Sequence, residues 1–472
     1  MPSLIRAFAL LPALFSSVAN AVHPVEVRGR DFVDTVTNNR LFIIGVDYQP
    51  GGQAAYNPEK GEDVLTDTDA CLRDAVLMQK LGVNTIRVYN VNPTLDHSEC
   101  ASIFNAAGIY MFIDVNSPLS GESLNRLAPW TTYHSDYMER VFGIVENFKN
   151  FPNTLGFFSA NEVMNDLDTA EFNPQYIRAV QRDLKNYIAN HCDRTIPVGY
   201  SAADVRDILQ DTWAYMQCND NNDDSAMDFF GLNSYSWCNG DTYQTAGYNL
   251  LVDMFADTAV PVFFSEYGCD RVVPRVFDEV QALYGPDMRM LSGGLVYEYS
   301  QEEGQYGLVN INSDGSIELR KDYENLQGQF NELDIDALES TSSSDTSIEP
   351  PECDTSLISA DAFSKNFTIP AVCPGCQEMI DDGIENPQTG ALVDVTETKV
   401  SQTVKNSNGD ELEDLTLDVS DDNESNTPGG DDSTSDDNDD DDNEEDPPGA
   451  AAHMGHSTAL ALASLVILAL FL

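Results

Sequence analysis

Leu155-Gly-Phe-Phe-Ser159 is a short apolar run without polar alternation, and it stops abruptly at Ala160-Asn161-Glu162. Runs of this kind are the pattern of a strand buried on both faces. Seven more occur, at Leu41–Val46, Thr85–Val88, Tyr110–Asp114, Ile196–Gly199, Phe229–Leu232, Val262–Ser265 and Gly294–Tyr297. Longer amphipathic stretches lie between them, among them Asp69–Leu81, Tyr133–Lys149, Pro174–His191, Asp204–Gln217 and Val276–Tyr284. Strands alternating with helices predict a parallel sheet. Eight such units between residues 22 and 330 suit an α/β fold of the (β/α)8 TIM-barrel type. An open doubly wound sheet is the alternative, but no Gly-rich dinucleotide loop follows the first run.

In such barrels the active site is built at the C-terminal ends of the strands. The residues at those ends are strongly polar here: Asp47-Tyr48-Gln49, Arg87 with Tyr89-Asn90, Asp114 with Asn116, Asn161-Glu162, Tyr200-Ser201 then Asp204, Asn233-Ser234-Tyr235, Glu266-Tyr267 and Tyr297-Glu298-Tyr299. Glu162 and Glu266 end the fourth and seventh runs and would face each other across the mouth. Glycoside cleavage needs two such carboxyls. One protonates the leaving oxygen, and the other attacks the anomeric carbon or activates water. Tyrosine, asparagine, glutamine and tryptophan around them suit sugar hydroxyls and ring faces. Two glutamates in surface ion pairs would be the bland alternative.

Charge narrows the partners. The 472 residues carry 24 Lys plus Arg against 79 Asp plus Glu, a net charge of −55. Residues 331–449 alone hold 34 acidic residues against three lysines. No basic footprint exists for nucleic acid, nor a polybasic patch for anionic lipid. The six histidines form no metal-ligand spacing, and the acidic run Asp431–Asp446 lacks an EF-hand pattern, so no metal and no cofactor is expected.

The segments Gly45-Val-Asp-Tyr-Gln-Pro-Gly-Gly52, Ile86-Arg-Val-Tyr89, Phe112-Ile-Asp114, Asn161-Glu162, Val198-Gly-Tyr-Ser201, Asn233-Ser-Tyr-Ser-Trp-Cys238 and Phe264-Ser-Glu-Tyr-Gly-Cys269 carry a closer likeness. Over roughly residues 24–330 the chain resembles the fungal glycolipid-anchored 1,3-β-glucanosyltransferases of glycoside hydrolase family 72. The resemblance implies a retaining enzyme that cleaves 1,3-β-glucan internally and joins the new reducing end to another glucan. It implies Glu162 as acid/base and Glu266 as nucleophile. It implies donor contacts from Tyr89, Asn116 and the loop to Leu124, Asn161 and Tyr297, with Gln49, Asp114, Tyr235 and Tyr306 around them. Asp204, and less directly Arg206, match the acceptor side. Disulfides Cys71–Cys100, Cys238–Cys269 and Cys218–Cys353 are implied, while Cys373 and Cys376 pair together or stay reduced and Cys192 is left over. Only three cysteines follow residue 330, too few for the Cys-rich carbohydrate-binding module of some members. The expected partners are donor and acceptor glucan chains, with the protein itself a monomer. A hydrolytic endo-β-glucanase and a catalytically idle glucan-binding wall protein are the rival readings.

The ends fit an enzyme of the cell surface. Arg6, the apolar run Ala7–Phe15 and Ala19-Asn20-Ala21 read as a secretory signal peptide, residues 1–21, cleaved after Ala21. The apolar run Thr458–Leu472 is shorter than the roughly 20 residues of a membrane-spanning helix. Small residues at Gly449-Ala450-Ala451 and a polar spacer precede it, the pattern of a GPI signal (450–472) with attachment at Gly449 and final location at the outer plasma membrane or wall. Nine cysteines fit an oxidising compartment. Residues 331–380 read as a disulfide-tied extension and 381–449 as a disordered acidic stalk. Asn366 and Asn423 head N-glycosylation patterns.

Overall fold

The computed structural model describes residues 22–219, 224–339, 348–420 and 423–429. Eight parallel strands, β1 (Ile43–Asp47), β2 (Thr85–Val88), β3 (Tyr110–Asp114), β4 (Thr154–Asn161), β5 (Val198–Ala203), β6 (Phe229–Asn233), β7 (Val262–Tyr267) and β8 (Gly293–Val296), pair in chain order. β8 pairs with β1, so the barrel is closed. A helix follows each strand: α1 (Thr68–Leu81), α2 (Ser98–Ala106), α3 (Ser135–Phe148), α4 (Pro174–His191), α5 (Leu209–Gln217), α6 (Tyr248–Met254), α7 (Glu279–Leu283) and α8 (Lys321–Asn331). Local chemistry sets several ends. Asp67 caps α1 by accepting from the Ala70 N–H at 3.1 Å, and Gly82, at φ 87°, terminates it.

Alternation along each strand explains the continuous apolar runs. Outward residues such as Ile44, Val46, Ile86, Val88, Met111 and Ile113 are buried in the large cluster shared with the helices. Inward residues form a separate core of Ile43, Tyr110, Phe112, Leu155, Phe158, Phe229, Phe263 and Leu295. This inner core lies toward the strand starts, and a hairpin absent from the sequence reading completes it. Strands Val25–Arg28 and Asp31–Asp34 pair antiparallel around Gly29, at φ 58°, a conformation glycine adopts without strain. They deliver Phe32, whose ring centre lies 5.8 Å from Phe263 and 5.9 Å from Phe112 and Phe229. The inward positions nearer the strand ends are polar instead: Asp47, Arg87, Asp114, Ser201, Asn233 and Ser265, all buried.

The disulfides are Cys71–Cys100, Cys218–Cys353, Cys238–Cys269 and Cys373–Cys376, with Cys192 a free thiol. Among the described residues no helix is long and apolar enough to cross a membrane. The proposed signal peptide and GPI signal, Gly449 included, lie outside the described residues.

One expectation is corrected. The acidic composition predicts a disordered stalk from residue 381, yet residues 381–420 run against the barrel. Val404–Lys405 adds a parallel strand to Ile317–Leu319, and Val400, Val404, Leu415 and Leu417 are buried in the main core. Beyond them, the Asn426 side chain donates to the carbonyls of Gln79 (3.0 Å) and Val83 (2.9 Å). Net charge misleads because a few well-spaced apolar anchors suffice for a segment that borrows an existing core. Leu417→Ala should therefore destabilise the protein by about 2–3 kcal/mol in denaturant unfolding with disulfides intact, whereas a disordered segment would give no change.

Candidate active site

Arg87 is the hub of the polar layer. It comes from β2, is fully buried, and lies 4.3 Å over the rings of both Tyr89 and Phe158. Its Nε and Nη2 donate to Asp114 Oδ1 and Oδ2 at 3.1 and 2.9 Å, a bidentate pair. Nη2 also donates to Asn161 Oδ1 at 2.9 Å, and Nη1 to the Ser265 carbonyl at 3.2 Å. Nη1 stands 3.5 Å from Glu266 Oε1. Two hydroxyls complete the environment of Glu266: Tyr89 donates to Oε1 at 2.9 Å and Tyr235 to Oε2 at 2.8 Å.

Glu162 follows β4 with φ 47°, a left-handed conformation uncommon outside glycine and frequent where a side chain must be aimed. Its backbone N–H is held by the Ser201 carbonyl at 2.9 Å. Asn233 Nδ2 donates to Glu162 Oε1 at 3.0 Å and to Asn161 Oδ1 at 3.2 Å. Asn233 Oδ1 accepts from Ser265 at 2.7 Å and Ser201 at 3.0 Å, which fixes the orientation of the amide. A continuous polar chain thus runs from Glu162 through Asn233, Asn161 and Arg87 to Glu266.

The two carboxyls sit in different surroundings. Burial pushes Glu266 up to about 7; Arg87 opposes the rise, the charge of Glu162 adds to it, and the Tyr235 and Tyr89 hydroxyls oppose it. Beside them lies Asp47, entirely buried, with the Tyr89 hydroxyl and the Arg87 guanidinium as the groups that favour its ionised form. Burial pushes its carboxyl well above the usual range, Arg87 opposes this, and Glu266 reinforces it.

The other expected residues divide. Tyr235, Tyr297 and Tyr306 form an aromatic wall with ring centres 5.3–6.3 Å apart, and Tyr89 meets Tyr297 at 6.4 Å. Gln49 is buried and accepts from the Asn90 N–H at 3.0 Å. Asp204 accepts from the Ser234 hydroxyl at 2.6 Å and from Arg206 Nη2 at 2.9 Å, so these two form one unit beside β5 and β6. Asn116 is engaged at both ends of its amide, donating to the Ser159 carbonyl (2.8 Å) and accepting from Tyr137 (2.6 Å). Leu124 is buried in the main core. Neither Asn116 nor the Leu124 side chain joins the network around the two glutamates. Asp47, Arg87, Ser201 and Asn233 were legible in the sequence only as polar residues at strand ends, with no role assigned, and Ser265 only as the last residue of an apolar run. Their signal was the inward parity of polar residues at the ends of apolar strands. No group of three or more potential metal ligands occurs among the described residues.

The glucanosyltransferase profile, glycoside hydrolase family 72, matches residues 14–334. The chain belongs to this glucanosyltransferase family. It is 53% identical over 430 residues to 1,3-β-glucanosyltransferase gel2 of Aspergillus fumigatus, covering 91% of this chain and 90% of that protein. It is 43% identical over 432 residues to the probable 1,3-β-glucanosyltransferase GAS3 of Saccharomyces cerevisiae, covering 87% and 81%. Among solved structures, a Saccharomyces cerevisiae Gas2p mutant in complex with laminaritetraose and laminaripentaose superposes with TM-score 0.65 at 34% identity, covering 75% of this chain and 76% of that one.

Within this family member, the hydroxyl of Tyr235 stabilises the ionised form of Glu266. Tyr235→Phe should move the acid limb of the kcat/KM profile to higher pH by about one unit, because the carboxylate then stays protonated further up the pH scale. An unshifted limb would mean that the hydrogen bond does not act on the titrating group.

Proposed function

We propose that this protein is a cell-surface 1,3-β-glucanosyltransferase that cuts inside one glucan chain and transfers the new reducing end to another. The observation that carries this reading is the asymmetric pair of glutamates in one hydrogen-bonded chain. Glu266 is gripped by Tyr89, Tyr235 and Arg87, whereas Glu162 takes one amide hydrogen bond. The first arrangement favours a positioned anion, the second a carboxyl free to give and take a proton.

In the first step Glu266 attacks the anomeric carbon while Glu162 protonates the departing glycosidic oxygen, giving a covalent glycosyl-enzyme. Glu162, now ionised, takes the proton of an acceptor hydroxyl, which attacks the same carbon and releases Glu266 with overall retention. Asn161 has its amide oxygen occupied by Arg87 and Asn233, leaving its NH2 to donate to a sugar hydroxyl near the reacting carbon. Tyr89, Tyr297 and Gln49, with Asn116 and the loop to Leu124, would line the donor half, and Tyr235 and Tyr306 the aromatic wall. Asp204 and Arg206 would receive the acceptor. The Gas2p complex with laminari-oligosaccharides supports a 1,3-glucan substrate. The signal peptide, the GPI anchor at Gly449 and glycans at the exposed Asn366 and at Asn423 belong to the same reading and place the enzyme on the outer membrane face or in the wall.

Two substitutions test it on a defined laminari-oligosaccharide with products sized by mass. Glu266→Gln should lower both cleavage and transfer by more than about 10³-fold with folding unchanged. A folded variant with normal product formation would remove Glu266 from the mechanism. Asp204→Ala should shift products from elongated chains toward short hydrolysis fragments while donor cleavage persists, since an acceptor must be held to compete with water at about 55 M. An unchanged ratio of transfer to hydrolysis would take Asp204 out of the acceptor site.

A further inference from the structure

Exposed apolar side chains are not scattered evenly over the described surface. Five of the ten large ones, Leu119, Leu127, Trp130, Leu167 and Phe172, lie on two neighbouring loops, those that follow β3 and β4. Trp130 is 54% exposed and Leu127 72%. The Trp130 and Phe172 rings meet edge to face with centres 5.9 Å apart, joining the two loops into one surface. The backing is built: the buried Asn173 donates its side-chain amide to the Arg126 carbonyl at 2.7 Å, and the turn carrying Trp130 closes through Thr131 N–H to the Ala128 carbonyl at 2.9 Å. Both loops leave the C-terminal ends of their strands, so the surface lies on the barrel face that carries Glu162, and Phe172 belongs to the loop that Glu162 begins.

A monomeric protein rarely leaves a grouped aromatic and aliphatic surface uncovered without a ligand for it. The two loops also carry Glu122, Asp166, Asp168 and Glu171 against Arg126, an acidic surround that disfavours an anionic membrane surface and is indifferent to a neutral polymer. A β-linked glucose ring presents axial C–H groups on its faces and hydroxyls at its rim. Its faces therefore stack on an exposed indole or phenyl ring while the rim stays in water.

We propose that Trp130, Phe172 and Leu127 form a platform, outside the two-glutamate cleft, that binds a further stretch of the long glucan chain. This rests on the glucan reading of the site and extends it to polymer recognition. The platform contributes to holding long chains and nothing to the reaction of short ones.

The test compares wild type, Trp130→Ala and Trp130→Phe on insoluble 1,3-β-glucan, on long laminarin and on laminaripentaose. Trp130→Ala should lose about five- to tenfold in affinity for the insoluble polymer and in KM for long laminarin. Its kcat/KM on the pentasaccharide and its melting temperature should match wild type, and Trp130→Phe should restore most of the loss. Equal polymer affinity in Trp130→Ala and wild type would overturn the platform. So would an equal loss on short and long substrates, which would place Trp130 in the cleft or the fold. Wild type bound to phosphatidylcholine vesicles or dimeric in sedimentation, with Trp130→Ala neither, would assign the surface to a membrane or a second copy instead. Wild type that binds polymer through Trp130 but transfers nothing would refute the transferase reading and leave the platform standing.

Discussion

The site depends on one buried cation. Arg87 faces three carboxyls, those of Asp47, Asp114 and Glu266, in a buried layer at the strand ends. It holds Asp114 through two hydrogen bonds, leans on Glu266, and makes no hydrogen bond to Asp47. That unequal division sets the balance at each carboxyl: burial pushes Asp47 well above the usual range and Glu266 up to about 7, and the guanidinium opposes both shifts. Removing the guanidinium would strand buried negative charge, an effect worth about 3–5 kcal/mol in comparable buried pairs, so Arg87 is a structural and an electrostatic requirement together.

The barrel supplies the rigidity this needs. Below the polar layer the interior is filled with aromatic rings, Phe112 and Phe263 stacked at 5.2 Å and Phe32 wedged among them. Such packing admits little movement, so the strand ends above it hold Arg87, Asn161, Asn233 and Glu266 in register. Loops then add what strands cannot: tyrosines from the loops after β6 and β8 form the aromatic wall, and the β5 loop brings Asp204 and Arg206.

Much of this was legible in the sequence. β2 and β3 were read with their observed limits, the other strands were off by one or two residues at an end, and β5 runs four residues beyond its apolar run to Ala203, because apolar runs mark burial rather than hydrogen bonding. Glu162 and Glu266 were legible as carboxyls at strand ends, and the structure joins them through one hydrogen-bonded chain. The network joining them was harder: Asn233 and Arg87 sit inside or beside apolar runs, and only the inward parity marks them. Leu124 came from resemblance alone, and its side chain is buried in the main core; Asn116, legible beyond the third strand's end, has its amide held by Ser159 and Tyr137. The hairpin carrying Phe32 gave no barrel signal, since its role appears only once the strands close around it. The tail was misread past residue 381 because charge dominates composition while Val400, Val404, Leu415 and Leu417 decide packing.

The central claim is that Glu162 and Glu266 work as a double-displacement pair that hands the glycosyl group to a sugar. The most direct measurement is the anomeric configuration of the products from a defined laminari-oligosaccharide, followed by proton NMR from the first minutes and combined with mass analysis. The account predicts new β-1,3 linkages in chains longer than the starting material and a β-anomer in any hydrolysis product formed first. First-formed α-anomer, with no chain longer than the substrate, would contradict it.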